Sequence, residues 1–324
     1  MLHNEKDAFE QLVLRTSDYL GVKAEIVEKD YFVTIFLKRI AAVMPDIVFK
    51  GGTSLSKCYH IIKRFSEDID LNVQSEKKPS ESKRKQFKAN ITKIISDLDF
   101  GLTNADSIKS RRDYNRYIID YPSSLSAAYL KEQLIVETAI YQRAYPTKIM
   151  TADSLIYQYL HENGYDAFIK QYDLEPFTLN VQTAERTMLD KMYALADYYL
   201  LNTTTEHSRH IYDIYKLYEI VTIDDTLKEL ALSVAEERRP HKMCLSVQEG
   251  ANVTDILREI IDKKIYKEDY DTITAPLLFE TVPYDTAITA LESILHNGIF
   301  EKLLYSYTGT ARQGLCLVFF RSAL

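Results

Sequence analysis

The sequence predicts an α+β fold, in which a small mixed sheet flanked by helices is followed by a mostly helical C-terminal part. Segments that alternate polar and apolar side chains, as strands do, lie within residues 1–145. From Thr183 onward, apolar side chains recur mainly at helical spacing. The 324 residues suit two domains, because a domain holds roughly 150 residues. We therefore expect a sheet domain of residues 1–178 and a helical domain of residues 179–324.

The composition is that of an ordinary globular protein. Hydrophobic residues make up 46% and charged residues 27%, which argues against a disordered chain. The formal charge of −7 excludes a globally basic nucleic-acid binder, although not a local basic patch. The three cysteines are too far apart for a disulfide framework or a CxxC metal site. With a charged N-terminus and no long apolar run, the chain is expected in the cytoplasm, with no membrane partner.

The first half of the predicted sheet domain can be followed from residue to residue. Helices are expected over residues 7–20 and 24–43, where apolar side chains recur at helical spacing and Pro45 ends the second helix. Residues 47–50 read as a short strand, and two glycines after it read as a turn. Thr53 is expected to begin a helix that continues to about Ile62. Residues 68–73 alternate polar and apolar side chains, which predicts a half-buried strand.

The rest of the chain continues this pattern. A polar loop over residues 75–88 leads into a helix that ends near Leu98, and two further strands are expected at 116–121 and 134–141. Residues 176–183 contain the expected domain boundary. Helices are predicted over residues 152–175, 183–201, 207–221, 224–238, 251–264 and 285–304.

The stretch from Phe49 to Leu71 contains the pattern that points to chemistry. Gly51 and Gly52 stand at a strand end, where the lack of side chains lets a phosphate approach the backbone closely. The helix that follows would direct free N–H groups at the same place, and a hydroxyl of Thr53 or Ser54 would add a donor. This order of residues therefore predicts a phosphate site.

Two carboxylates on the following strand predict a metal site. Asp68 and Asp70 are two residues apart, so on a strand their side chains project from one face. Two adjacent carboxylates repel each other unless a cation lies between them. Mg²⁺ prefers such oxygen ligands and leaves positions open for substrate phosphates. Two Mg²⁺ ions would stabilise the attacking and leaving oxygens of an in-line phosphoryl displacement.

These motifs resemble those of a known family. Lys50–Leu55 (KGGTSL) together with Arg64–Leu71 (RFSEDIDL) is similar to the AbiEii nucleotidyltransferase toxins of type IV toxin–antitoxin and abortive-infection systems. These toxins belong to the nucleotidyltransferase superfamily that includes DNA polymerase beta. Three further segments resemble the family's N-terminal helix and its third and fourth motifs: Glu28–Tyr31, Glu185–Lys191 and Arg209–Asp213. The resemblance covers about residues 25–220.

The resemblance implies a role for each matching residue. Asp68 and Asp70 would bind Mg²⁺, with Glu137 as the best candidate for a third carboxylate and Asp120 as the second candidate. Asp213 would lie near the reacting groups and Lys191 would reach the nucleotide phosphates. The catalytic set is therefore Asp68, Asp70, Lys191 and Asp213. The nucleotide-binding set is Lys50, Gly51, Gly52, Thr53, Ser54, Lys191 and Arg209.

The implied activity is Mg²⁺-dependent transfer of a nucleoside monophosphate (NMP) from an NTP to RNA, with release of pyrophosphate. The implied acceptor is the 3′ end of tRNA, whose modification would block translation, and a separately encoded antitoxin would neutralise the enzyme. Two alternatives stay open at this point: transfer to a protein hydroxyl, and a nucleotide-binding module without turnover. Retention of the four catalytic candidates argues against the second alternative.

Several of these residues also have an ordinary structural interpretation. An isolated Asp-x-Asp often lies on an exposed strand face, and an isolated lysine such as Lys191 is usually a solvated surface residue. Arg209 and Asp213 are four apart, which also suits a salt bridge on a helix surface. Residues 77–93 contain six Lys and Arg84 against one acid, Glu81. That stretch is equally compatible with a solvated helix face and with a contact to the RNA backbone.

Overall fold

The computed structural model has the predicted α+β architecture and divides into two compact units, Met1–Thr183 and Ala184–Leu324. It describes residues 1–66, 68–74, 79–110, 112–125, 133–140, 144–301 and 303. Position 178, where the sequence analysis places the domain boundary, falls within a strand of the first unit.

A mixed sheet forms the centre of the first unit. Its described strands have the order β3-β4-β5-β2-β1-β7-β6. β2 runs antiparallel to β1 and parallel to β5, and β1 runs parallel to β7. The strands are β1 (Ile47–Lys50), β2 (Asp68–Val73), β3 (Gly101–Leu102), β4 (Tyr114–Asp120), β5 (Gln133–Ala139), β6 (Thr147–Ala152) and β7 (Phe177–Gln182).

The two faces of this sheet differ in polarity. Alternate residues of β2, Ile69 and Leu71, are buried in the hydrophobic core with side chains from the surrounding helices. Because successive side chains of a strand point to opposite faces, Asp68 and Asp70 lie on the other face. The helices of this unit are α1 (Lys6–Leu20), α2 (Ala24–Val43), α3 (Gly51–Lys57), α4 (Glu81–Asp97), α5 (Leu155–Glu162) and α6 (Asp166–Gln171).

The second unit is helical over its described residues. α7 packs against α8, α9 and α10, and α12 packs against α8 and α10. None of the described helices, in either unit, combines the length and apolar character needed to cross a bilayer. The helices are α7 (Ala184–Leu200), α8 (Arg209–Tyr218), α9 (Asp225–Arg238), α10 (Val253–Asp262), α11 (Lys267–Asp269) and α12 (Tyr284–His296).

The structure corrects several predicted elements. The helix expected from Thr53 to Ile62 begins earlier, at Gly51, and ends at Lys57, close to His60 with its positive φ of 54°. The helix expected over residues 152–175 is two short helices, α5 and α6. Strands β3, β6 and β7 were not predicted. β7 follows Pro176, which the sequence analysis interprets as part of a domain boundary. The last predicted helix, over residues 285–304, ends at His296 in the structure, and residue 304 lies outside the described residues.

Candidate active site

Four polar side chains form a row across the sheet of the first unit. Lys50 on β1 lies opposite Asp70 on β2, and Asp70 lies opposite Glu137 on β5. Glu137 in turn lies opposite Arg116 on β4. Directly opposed residues of neighbouring strands share a face of the sheet, so these side chains are adjacent in pairs. We call Lys50, Asp70, Glu137 and Arg116 the polar row; Asp68 shares its face, two residues from Asp70.

Gly51 comes directly after Lys50 in the sequence and packs against the Asp70 carboxylate of the polar row. A Cβ atom at this position would lie 2.0 Å from Oδ2 of Asp70. Gly51 also has a φ of +76°, which L-residues adopt only with strain. The first glycine of the motif is therefore required by the Asp70 carboxylate, in addition to the expected approach of a phosphate.

Gly51→Ala is expected to destabilise the protein more than the backbone conformation alone explains. The positive φ costs roughly 1–2 kcal/mol for a residue with a Cβ, and the contact with Asp70 adds to this cost. Gly164→Ala is a matched control, since Gly164 has a φ of +73° and nothing within 4 Å of its Cβ position. Urea unfolding of both variants measures the difference. Equal losses would mean that the Asp70 carboxylate moves aside freely.

Gly52 accommodates a buried arginine that the sequence analysis did not single out as a site residue. A Cβ at Gly52 would lie 2.5 Å from Nη2 of Arg64 and 2.7 Å from Oγ of Ser66. Arg64 is only 5% exposed, and its Nη1 donates to the Phe65 carbonyl at 2.9 Å. Arg64 stands at the start of the family-like segment before β2, which is the signal that could have identified it.

The hydroxyls of Thr53 and Ser54 bind the protein itself. Thr53 Oγ1 donates to the Asp68 carbonyl at 2.5 Å and lies 3.1 Å from Oγ of Ser66. Ser54 Oγ donates to the Gly51 carbonyl at 2.8 Å, and both residues are buried. The Thr53 bond fastens α3 to the strand that carries Asp68 and Asp70, whereas the Ser54 bond lies within α3. The predicted contact of the two hydroxyls with a triphosphate remains a prediction.

Glu137 is held by two neighbours on β4. The Tyr114 hydroxyl donates to Oε1 of Glu137 at 2.8 Å, and Nε of Arg116 lies 3.6 Å from the same oxygen. Burial and this hydrogen bond raise the pKa of Tyr114, so its hydroxyl stays protonated and continues to donate. The other candidate, Asp120, lies opposite Gln133 and accepts a hydrogen bond from that side chain at 2.8 Å. The polar row therefore includes Glu137 and does not include Asp120.

The donor set suits Mg²⁺ with two protein carboxylates. Asp68 and Asp70 offer oxygen ligands from one face of one strand, and Mg²⁺ usually takes one or two carboxylates together with water and substrate phosphates. Among the described residues, no three His, Cys, Asp or Glu side chains are grouped as a metal site. Because Tyr114 and Arg116 engage Glu137, its role as a third ligand stays a prediction.

The structure brings together two predicted residues of the second unit. Nζ of Lys191 on α7 lies 2.6 Å from Oδ2 of Asp213 on α8, and both side chains are buried. Nδ1 of His210 lies 3.5 Å from the same ammonium. Burial, followed by the charges of Lys191 and Arg209, holds the pKa of His210 well below its usual value. Lys191 is therefore no solvated surface lysine, and a neutral imidazole lies beside it at neutral pH.

Comparison with known proteins gives one family. The family model described as "Nucleotidyl transferase AbiEii toxin, Type IV TA system" matches residues 35–294. No curated protein matches the chain. One similar solved structure is MenT4, a nucleotidyltransferase toxin from Mycobacterium tuberculosis H37Rv. It is 16% identical, has a TM-score of 0.47, and the match covers 89% of this chain and 86% of that chain.

Proposed function

The chain belongs to the AbiEii family of nucleotidyltransferase toxins, and from that premise we propose that it transfers NMP from an NTP to RNA, with Mg²⁺ as cofactor. The observation that carries this proposal is the placement of Asp68 and Asp70 on one sheet face. Asp70 there adjoins Gly51 and lies within the polar row. The type IV toxin–antitoxin family also implies an antitoxin partner. We further propose the tRNA 3′ end as acceptor, the cytoplasm as location, and a separately encoded antitoxin that neutralises the enzyme.

The proposed step is an in-line displacement at the α-phosphorus. A bond forms from the acceptor oxygen to the α-phosphorus, while the bond to the β-phosphate oxygen breaks and pyrophosphate leaves. The acceptor proton passes to a base, for which Asp213 is the candidate. Mg²⁺ (one ion or two), when bound, would supply positive charge against the phosphate oxygens. Asp68 and Asp70 would hold it, with Glu137 as the proposed further ligand.

The remaining proposed roles concern phosphate binding. In the first unit, Lys50 supplies a positive charge next to Asp70 in the sheet register, directly before the two glycines. Gly51, Gly52, Thr53 and Ser54 are proposed to bind the triphosphate, as the family resemblance implies. In the second unit, the ion pair with Asp213 holds the ammonium of Lys191 in one position. We propose that Lys191 and Arg209 contact the nucleotide phosphates.

A basic surface on the exposed side of α4 supports RNA as the acceptor. Lys83 and Lys85 are exposed on α4. That helix is fastened to the segment before β4 by two cations: Nη1 of Arg84 lies 3.2 Å from Oδ1 of Asp113, and Lys88 donates to the Ile108 carbonyl at 2.8 Å. β4 carries Arg116 of the polar row. Lys77 and Lys78 of the same basic stretch lie outside the described residues.

Reversing charge on this surface is expected to weaken RNA binding. Lys83→Glu/Lys85→Glu should lower the affinity for RNA by roughly tenfold or more at low salt and reduce the salt dependence of binding. The control variant is Lys6→Glu/Lys242→Glu, which reverses two exposed lysines elsewhere. Filter binding over a salt series measures both effects. Equal affinities of the two variants would mean that this surface does not bind RNA, and it would then no longer support RNA as the acceptor.

The acceptor can be identified by labelling. Wild-type protein with Mg²⁺, α-labelled NTP and a cell extract is expected to give a labelled product that nuclease removes and protease does not. Label that only protease removes would show that the acceptor is a protein and not RNA. Tight NTP binding without pyrophosphate release would indicate a binding module without turnover.

A further inference from the structure

Of three consecutive charged residues of α2, Glu28 and Lys29 are buried and Asp30 is half-buried. Glu28 is 1% exposed, Lys29 is 0% exposed, and the Asp30 side chain is 15% exposed. Successive residues of an α-helix point about 100° apart, so these charges face three different directions. Buried charges are costly unless each one is paired and hydrogen-bonded. The contacts of the three residues therefore indicate what they hold in place.

Asp30 fastens the end of α3. Its Oδ1 lies 2.6 Å from Nζ of Lys57, the last residue of α3, and its Oδ2 accepts a hydrogen bond from the backbone N–H of Leu155 at 2.8 Å. Lys57 also donates to Oγ1 of Thr34 at 2.6 Å and to the Asp153 carbonyl at 3.1 Å. The ammonium thus has three acceptors at the base of α3.

The two preceding residues reach other segments near the site. Glu28 accepts hydrogen bonds of 2.7 Å from the Ser123 hydroxyl and from both the N–H and the hydroxyl of Ser124, in the segment after β4. Nζ of Lys29 lies 5.6 Å from the centre of the Phe65 ring, in the segment before β2. The triplet therefore contacts α3, the approach to β2 and the end of β4.

We propose that Glu28, Lys29 and Asp30 are positioning residues: Asp30 holds the end of α3, Lys29 the segment before β2 and Glu28 the segment after β4, so that Gly51 stays packed against the Asp70 carboxylate. α3 is fixed at its C-terminal end by Asp30 through Lys57, and nearer its start by the Thr53 hydrogen bond to the Asp68 carbonyl. Loss of the first contact leaves Lys57 with the Thr34 and Asp153 acceptors, and we expect the C-terminal end of α3 to shift relative to β2. This role rests on the proposed function, because it assumes that transfer occurs at Asp68 and Asp70.

The test compares Asp30→Asn with a control of matched bonding. Asp197 in the second unit is 5% exposed; one of its oxygens lies 2.7 Å from Nη2 of Arg238, and the other accepts from the backbone N–H of Ser246 at 2.7 Å. Asp197→Asn thus removes a charge with the same two kinds of partner from the second unit. Each variant is measured for melting temperature, for kcat per folded molecule at saturating NTP and Mg²⁺, and for amide hydrogen exchange of α3 without metal.

Misplaced reacting groups lower kcat, so Asp30→Asn should lose about tenfold or more in kcat, and its α3 amides should exchange faster. Asp197→Asn should keep kcat within about twofold at a comparable loss of melting temperature. The positioning role is wrong if both variants lose the same kcat for a given loss of melting temperature. It is also wrong if Asp30→Asn keeps its kcat.

Two further variants separate positioning from stability. Asp30→Asn/Lys57→Met removes both charges, so it should regain stability relative to the single variant without regaining kcat. Recovery of kcat along with stability would overturn the proposal. If Asp30→Asn does not fold, Thr34→Val keeps both charges and removes one acceptor of Lys57. We expect Thr34→Val to lower kcat about threefold, and an unchanged kcat would contradict the role.

The wild-type chain distinguishes this proposal from the proposed function. A wild-type protein that transfers no NMP overturns the proposed function and, with it, this role. An active wild type together with a fully active Asp30→Asn overturns the positioning role alone.

Discussion

Asp70→Asn is expected to lower the rate of nucleotidyl transfer by about 10³-fold and to leave the fold intact. Asn preserves the shape that packs against Gly51 but lacks the negative charge that a Mg²⁺ ion requires. Asp70 is half-buried on the sheet face opposite the hydrophobic core, so the core does not depend on it. Single-turnover transfer of an α-labelled NMP measures the rate, and thermal unfolding measures the stability.

Asp120→Asn provides the comparison for this prediction. Asp120 is an exposed carboxylate of the same sheet, but it lies opposite Gln133 and is bonded to that side chain. We expect Asp120→Asn to keep the transfer rate within about threefold, because its charge lies outside the polar row. Equal losses in the two variants would contradict the assignment of the metal site to Asp68 and Asp70.

Lys191→Met is expected to have the largest effect on stability. It leaves the Asp213 carboxylate, which is 0% exposed, without the ammonium now 2.6 Å away. Removing one partner of a buried pair typically costs about 3–5 kcal/mol. Transfer activity should also be lost, because Lys191 is the proposed phosphate ligand of the second unit. Urea unfolding and the transfer assay measure the two losses.

Two variants separate the stability effect from the activity effect. Lys191→Met/Asp213→Asn removes both charges and should regain much of the stability, while transfer stays absent. Lys216→Met is the control on α8, since Lys216 pairs with two partly exposed glutamates, at 3.2 and 3.5 Å. It should cost about 1 kcal/mol or less. Full transfer activity in the double variant would exclude Lys191 and Asp213 from the reaction.

Local sequence patterns identified the part of the site whose geometry depends on residues close together in the sequence. The strand of residues 68–73 is confirmed, and with it the common face of Asp68 and Asp70, because a period of two residues decides both. The glycines were recognised from their position at a strand end. Their close contacts with Asp70 and Arg64 depend on how α3 packs against β2, and side-chain packing of that kind cannot be read from spacing.

Pairings between distant segments could not be derived in the same way. Glu137 lies opposite Asp70 because β5 runs parallel to β2, and the two residues are far apart in the sequence. The alternation of Phe177, Leu179 and Val181 in β7 was visible, but only its pairing with β1 identifies it as a strand. The packing of α7 on α8 places Asp213 against Lys191, and the spacing of residues along one helix could not show that pairing.

The most direct test of the central claim is a labelling experiment with the wild-type chain and Asp70→Asn. Each protein is incubated with total cellular RNA, Mg²⁺ and each of the four α-labelled NTPs in turn, with and without a chelator. We expect label in RNA of tRNA size that requires both Mg²⁺ and Asp70. Folded wild-type protein that labels no RNA with any of the four NTPs would contradict it.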